Sequence, residues 1–275
     1  MKLIDFDGLF DEKLTQYMSE NKNKHNEKEW EDIIPKLYKK FGDTRIAKIG
    51  CTPKEYYANM STEELVSTLK GHLEQAVPVP EFLCAELENR KDSAALLPLL
   101  ETDDTETASY AINLIGEDSR AFATYFSILE TLRFDEEIRS DVADLLRTHA
   151  DEVLPQAIAL YEKGLAKEYM LEILSRVKAR EEKVYDILLS AFLNAEDTSR
   201  TAGYLAAYGD ERALKPLLKK IEDRSIGFVE FQELKYAIEA LGGEYNEPRD
   251  FSADKDYLAV EAAGLRANED EGLQS

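Results

Sequence analysis

The sequence lacks the features that most membrane and secreted proteins show. No apolar run approaches the roughly 18 residues that a membrane-spanning helix needs. The N-terminal residues include acids where a signal peptide needs a long apolar segment. Only two cysteines are present, Cys51 and Cys84, and they do not form a CxxC pair. We therefore expect a cytoplasmic protein with reduced thiols and no association with a membrane.

Motifs for nucleotide, serine and metal chemistry are also missing. The sequence has no GxSxG, no P-loop and no GxGxxG, and its three histidines share no ligand spacing. We therefore expect no cofactor, no metal and no catalytic residue, so the chain is interpreted as a protein that is not an enzyme.

One short stretch supports an enzymatic alternative. Residues 3–8 resemble the first motif of haloacid-dehalogenase-type phosphatases, in which two aspartates, here Asp5 and Asp7, act beside Mg²⁺. This chemistry needs a strand that ends at the first aspartate, yet only four residues precede Asp5 and no β-branched run follows. An enzyme with its site in the non-repeat N-terminal region is kept as the alternative function.

Positive charge is scarce. Lys and Arg number 34 against 56 Asp and Glu, which gives a net charge of −22. Residues 1–60 contain 11 bases and 11 acids, so the whole excess falls on residues 61–275. A surface this acidic repels nucleic acid and anionic membranes and attracts a basic protein segment. The simpler interpretation is that the acidity only provides solubility.

What the sequence does contain is a repeated helical pattern. Two helices of similar pattern end at Gly209 and Gly242, 33 residues apart, and glycine supplies the left-handed residue that closes a helix. Equivalent helix ends can be placed at Gly116, Ala150 and Lys178. Self-similarity at this period is typical of stacked helical repeats.

Small and aliphatic residues recur at fixed distances before these helix ends. Four positions before them stand Ile112, Leu146, Leu174, Leu205 and Ile238. Five positions before them stand Ala111, Leu145, Ile173, Tyr204 and Ala237, and eight before stand Ala108, Val142, Met170, Thr201 and Leu234. Offsets of four, five and eight share one helix face, so these rows are predicted to be buried.

The stretch from Ala202 to Leu218 resembles the HEAT-like repeats of the phycobilisome-lyase type. It has their small-residue helix, their Gly-Asp corner and their Ala-Leu-x-Pro-Leu-Leu helix, and the similarity covers roughly residues 80–245. The resemblance implies an all-α fold, a right-handed α-α superhelix or HEAT-like solenoid, that holds other macromolecules and carries no transferable lyase site.

This resemblance also sets the expected domains. Prolines in residues 77–80 mark the border of an N-terminal helical cap, residues 1–79. The HEAT-like repeats would occupy residues 80–245. Residues 246–275 would form a C-terminal capping helix, over 253–265, and an acidic tail that frays from residue 268.

The resemblance places the second helix of each repeat on a concave side, which makes the positions six, three and ten residues before the helix ends a candidate surface. Its candidate partner-binding residues are Glu106, Tyr110, Asn113, Asp144, Arg147, Glu172, Tyr236 and Glu239. Tyrosines beside carboxylates suit a groove for a basic peptide. We therefore expect a non-enzymatic scaffold for a protein or peptide. Ordinary solvated helix positions and a self-associating structural protein are the competing interpretations, and the sequence does not specify an oligomeric state.

Overall fold

The computed structural model describes residues 3–22, 24–196 and 198–272, with side chains through residue 263. These residues form sixteen α-helices and no β-strand, which confirms the all-α class. Within them, no helix combines the length and hydropathy required to cross a bilayer. The helices are α1 Phe6–Glu20, α2 Glu27–Gly42, α3 Pro53–Ala58, α4 Thr62–Glu74, α5 Glu81–Arg90, α6 Ser93–Leu96, α7 Thr105–Ile115, α8 Phe122–Thr131, α9 Glu136–Thr148, α10 Leu154–Glu162, α11 Lys167–Leu174, α12 Glu182–Asn194, α13 Ser199–Tyr208, α14 Leu214–Ile221, α15 Phe228–Ala240 and α16 Lys255–Gly272.

The chain divides into two compact units, residues 1–124 and residues 125–275, so that the division falls within α8. The border expected at residues 77–80 lies inside the first unit. Helices α4 and α5, which precede and follow that border, pack against each other there.

In the first unit, side-chain caps begin α1, α2, α3, α4 and α7. Capping boxes at Asn26, Thr52 and Ser61 start α2, α3 and α4. Helix α1 begins at Phe6, because the Asp5 side chain accepts a hydrogen bond from the Gly8 amide at 2.7 Å and caps the first turn.

In the second unit, α9, α11, α13 and α15 pack against one another in that order, and α10, α12 and α14 pack against α11, α13 and α15. Hydrogen bonds join the first turns of successive members of the first series. The pairs are Arg139 Nε to Tyr169 Oη at 3.3 Å, Arg200 Nη1 to Glu168 Oε2 at 3.2 Å, and Thr198 Oγ1 to Glu230 Oε1 at 2.6 Å. Since first turns meet first turns, these helices run parallel. The paired residues are 30 to 32 positions apart, which is one repeat length.

The predicted core rows are largely buried. Every residue four positions before a helix end is at most 2% exposed. In the other two rows, Leu145, Tyr204 and Thr201 are only half-buried. The rows therefore identify the packed face, and their larger or more polar members lie at its margin.

The helix end predicted at Lys178 is wrong. Helix α11 ends at Leu174, and the Ser175 hydroxyl turns back to donate to the Glu172 carbonyl at 2.7 Å. The amide of Lys178 lies in the following loop, where it donates to Asp151 Oδ1 at 2.9 Å. Without a glycine to close the helix, this loop is held by a side chain instead.

Two glycines of α13 should respond oppositely to alanine. Gly209 caps the helix at φ +73°, a left-handed conformation that a Cβ disfavours, so Gly209→Ala should lower the free energy of unfolding by about 1 kcal/mol. Gly203 lies inside the helix with no atom within 4 Å of a built Cβ, so Gly203→Ala should raise it by about 0.5–1 kcal/mol. Urea unfolding checks both variants, and changes of the same sign would contradict this account.

Helix α16 packs against α15 at the end of the second unit. Asp254 joins the two helices, because Oδ1 accepts from the Tyr257 amide at 3.1 Å and Oδ2 accepts from the Phe228 amide at 3.1 Å. Residues 268–272, expected to fray, continue α16, whereas residues 273–275 of the predicted tail lie outside the described residues.

Candidate functional site

The predicted partner-binding residues lie on four helices in two units. In residues 1–124, Glu106, Tyr110 and Asn113 are on α7. In residues 125–275, Asp144 and Arg147 are on α9, Glu172 is on α11, and Tyr236 and Glu239 are on α15. The two sets are therefore described separately, each within its own unit.

On α7, the three predicted residues share one helix face at spacings of four and three. Glu106 and Asn113 are exposed, and Tyr110 is half-buried between them. Burial, followed by the charges of Cys84 and Glu106, raises the pKa of the Tyr110 phenol. Tyr110 is therefore protonated at neutral pH and can donate a hydrogen bond.

In the second unit, Arg147 joins two helices of the predicted face. Its Nη2 lies 2.9 Å from Asp144 Oδ1 on the same helix, and its Nη1 lies 2.8 Å from Glu172 Oε1 on α11. Partly exposed ion pairs of this kind contribute about 0–1 kcal/mol to stability. Their main effect is to order two carboxylates around one guanidinium, so the group keeps a net negative charge.

Tyr204 lies beside this group, although its row predicts a core position. Desolvation raises the pKa of its phenol, and the next contribution is the charge of Glu172. The side chain is half-buried and close enough to Glu172 to sense its charge, so we count it with the surface that carries Glu172. Sequence reasoning missed this residue because its offset from the helix end equals that of buried alanines. The one signal was that tyrosine alone in its row carries a polar tip.

Helix α15 contributes the most exposed aromatic side chain of the face. Tyr236 is 64% exposed, and Glu239 lies exposed one turn later. Gly203 occupies the equivalent position on α13, between α11 and α15, and nothing lies within 4 Å of a Cβ built there. Gly203 therefore leaves a strip of helix without a side chain at this position, between Glu172 and Tyr236.

We call this surface of the second unit the acidic face. Its residues are Asp144, Arg147, Glu172, Tyr204, Tyr236 and Glu239. Ser175, in the same predicted row as Arg147 and Glu239, does not belong to it, because it is 2% exposed after the early end of α11.

The enzymatic alternative centres on Asp5 and Asp7, and the structure accounts for both aspartates. Asp5 caps α1, and Asp7 Oδ1 accepts a hydrogen bond at 2.5 Å from the Tyr38 hydroxyl on α2. The strand that phosphatase chemistry requires is absent from the described part of the chain. No group of three or more His, Cys, Asp or Glu among the described residues is placed to hold a metal.

Asp7 belongs to a polar cluster inside the first unit. Burial raises the pKa of its carboxyl group, and the hydrogen bond from Tyr38 opposes that rise. Nearby, the Tyr57 hydroxyl and both ring nitrogens of His72 are fully buried and find no hydrogen-bond partner among the described residues. Asp7 accepts a hydrogen bond that joins α1 to α2, so we interpret the cluster as a structural feature.

The cluster gives a pH prediction. A carboxyl group whose pKa is raised in the folded state contributes stability below its unfolded pKa of about 3.9 and loses that contribution as the pH rises. Ionised Asp7 therefore lowers the free energy of unfolding at pH 7. The stability of Asp7→Asn relative to the wild type should increase as the pH rises from about 3 to about 7.

Thermal unfolding across this pH range measures the effect. Tyr38→Phe removes the hydrogen bond that opposes the rise in the Asp7 pKa. The free energy of unfolding of this variant should therefore fall more steeply with increasing pH than that of the wild type. If the stability of Asp7→Asn relative to the wild type instead decreased as the pH rose, the ionised carboxylate would be stabilising and the predicted direction would be wrong.

No protein-family model, curated protein or solved structure matches this chain. Ordered carboxylates, an exposed tyrosine ring and an uncovered strip of helix suit the binding of a cationic, extended partner.

Proposed function

We propose that this chain is a non-enzymatic interaction scaffold that binds a basic protein or peptide segment through its acidic face. We further propose that its helices form a HEAT-like solenoid, a right-handed α-α superhelix. The support for the second proposal is the parallel series α9, α11, α13 and α15, whose contacts recur at one repeat length. A repeat array exposes a long surface and needs no buried catalytic pocket.

The observation that carries the binding proposal is an ordered pair of carboxylates, Asp144 and Glu172, beside the strip of helix that Gly203 leaves without a side chain. Arg147 orders Asp144 and Glu172, so these carboxylates lose less conformational entropy when a partner binds. A Lys or Arg of the partner can pair with either carboxylate, and another can stack on the exposed ring of Tyr236. The net charge of −22 favours the approach of such a segment.

Binding of a fluorescent peptide of alternating arginine and glycine tests the proposal. The double variant Glu172→Lys/Glu239→Lys should weaken binding at least about tenfold, or about 1.4 kcal/mol, because it replaces attraction by repulsion at both sides of the strip. Added salt should weaken wild-type binding as well, since the screening length falls to about 8 Å at physiological ionic strength.

A matched control separates the acidic face from overall charge. Asp186→Lys/Glu222→Lys makes the same change in net charge at exposed positions on α12 and at the end of α14. This variant should bind the peptide nearly as well as the wild type. If both double variants weakened peptide binding equally, binding would depend only on the overall net charge and not on the acidic face.

A further inference from the structure

We propose that the chain associates with a second copy of itself, by docking a basic patch of one copy on the acidic face of the other. This inference rests on the proposed function, because it names a partner for the same face. One segment of the chain reverses the overall sign of the charge. Residues 36–54 contain six Lys or Arg and one acid, Asp43, in a chain whose net charge is −22.

Most of this positive charge has no counter-charge. Lys54 Nζ lies 2.8 Å from Asp43 Oδ2. No described carboxylate forms an ion pair with the other five cations, all of which are exposed. We define the basic patch as these five residues: Lys36, Lys39, Lys40, Arg45 and Lys48.

Helix stability explains only part of the basic patch. Lys39 and Lys40 lie in the last turn of α2, where cations interact favourably with the helix dipole. Arg45 and Lys48 lie beyond the helix. They flank and occupy a tight turn in which the Ile46 amide donates to the Cys51 carbonyl at 3.0 Å. The turn holds two further cations in place, and the dipole does not account for them.

An apolar cleft adjoins the basic patch. Between α1 and α2, a space of about 190 Å³ is bordered by Leu14, Leu37 and Phe41, with Lys40 at its edge. A stable interface needs a desolvated aromatic or aliphatic anchor as well as charges. Tyr236 of the acidic face is 64% exposed and lies one turn before Glu239, which pairs with Lys235 at 3.8 Å. Its ring has the chemistry to fill such a cleft in another copy.

A second copy fits the basic patch better than a nucleic acid does. A duplex nucleic acid presents phosphates to the patch and has no exposed ring to fill the apolar cleft. The acidic face is a short, local complement that carries both carboxylates and a ring. Because the two surfaces differ, the contact is heterologous and leads to a ring or an open chain of copies.

Sedimentation velocity over a concentration series tests the inference. The wild type should associate at about 0.15 M salt, where screening limits the repulsion between two copies of net charge −22, and dissociate at about 1 M salt, where the ion pairs of the contact are screened as well. The variant Lys36→Glu/Lys39→Glu/Arg45→Glu and the variant Glu172→Lys/Glu239→Lys should each associate at least about tenfold more weakly. Circular dichroism confirms that each variant keeps its helices.

Sedimentation of a mixture of the two variants is the deciding experiment. One variant retains the acidic face and the other retains the basic patch, so an equimolar mixture should form a complex that neither variant forms alone. A wild-type chain that stays monomeric up to about 1 mM, or a mixture without a complex, would overturn the inference. The inference would also be overturned if charge reversal in the basic patch abolished binding to duplex DNA or to phosphatidylserine vesicles but left self-association unchanged.

The peptide titration keeps the two proposals apart. If the arginine peptide binds the acidic face and the wild type stays monomeric, self-association is wrong and the proposed function stands. If the peptide binds independently of Glu172 and Glu239, the acidic face has no binding role, and the self-association proposal fails with it.

Discussion

Leu174→Ala should lower the free energy of unfolding of residues 125–275 by about 2–5 kcal/mol. Leu174 is fully buried on α11, which packs against α9, α10, α12 and α13. Truncation removes apolar contacts and leaves a cavity that four surrounding helices can close only in part. Urea unfolding followed by circular dichroism measures the loss.

Leu193→Ala is the matched control. Leu193 is 63% exposed on α12, so the same truncation should change stability by less than about 0.5 kcal/mol. Trp30, the single tryptophan, reports residues 1–124 and therefore provides an internal reference. Equal losses for Leu174→Ala and Leu193→Ala would mean that α11 is not central to the core.

Tyr208→Ala should cost about 3–5 kcal/mol, since an aromatic side chain that is 3% exposed is lost. The Tyr208 hydroxyl accepts from the Glu181 amide at 2.8 Å, and the carbonyls of Ala179 and Glu181 lie within 3.2 Å of it. The Arg180 guanidinium stacks on the ring at 5.2 Å from its centroid. One side chain thus fastens the end of α13 to the loop before α12.

Tyr208→Phe separates the two contributions. It keeps the ring and removes the hydrogen bonds, so it should cost about 1–3 kcal/mol. Tyr236→Ala is the control, because Tyr236 is 64% exposed and should change stability by less than about 0.5 kcal/mol while weakening binding of the arginine peptide. A Tyr208→Phe variant as stable as the wild type would show that packing alone holds this loop.

Much of the fold could be predicted because helix signals are local. Ser61 and Thr52 cap their helices as their sequence contexts suggest, and Gly209 adopts the left-handed conformation that closes α13. A cap depends on a few neighbouring residues, so the sequence contains all that is needed to place it. Rows such as Ile112 and Ile238 were predictable for the same reason, because helical spacing determines which residues share a face.

The candidate site was less predictable because it depends on how helices rotate and end. The rows identified Arg147 and Glu172, and only packing of α9 against α11 brought their charges to 2.8 Å. Ser175 moved to the interior because α11 ends early, and Tyr204 is half-buried at the margin of the packed face. Fixed offsets assume equal repeats, and this assumption failed where no glycine closed the helix.

The sequence by itself determined the all-α class, the helix caps and the apolar rows, because each follows from the chemistry of residues within a few turns of one another. The tertiary structure decided which side chains share the acidic face, and that Asp7 forms a helix-to-helix contact with Tyr38. These outcomes depend on distances between residues about one repeat apart, which are set by packing of whole helices.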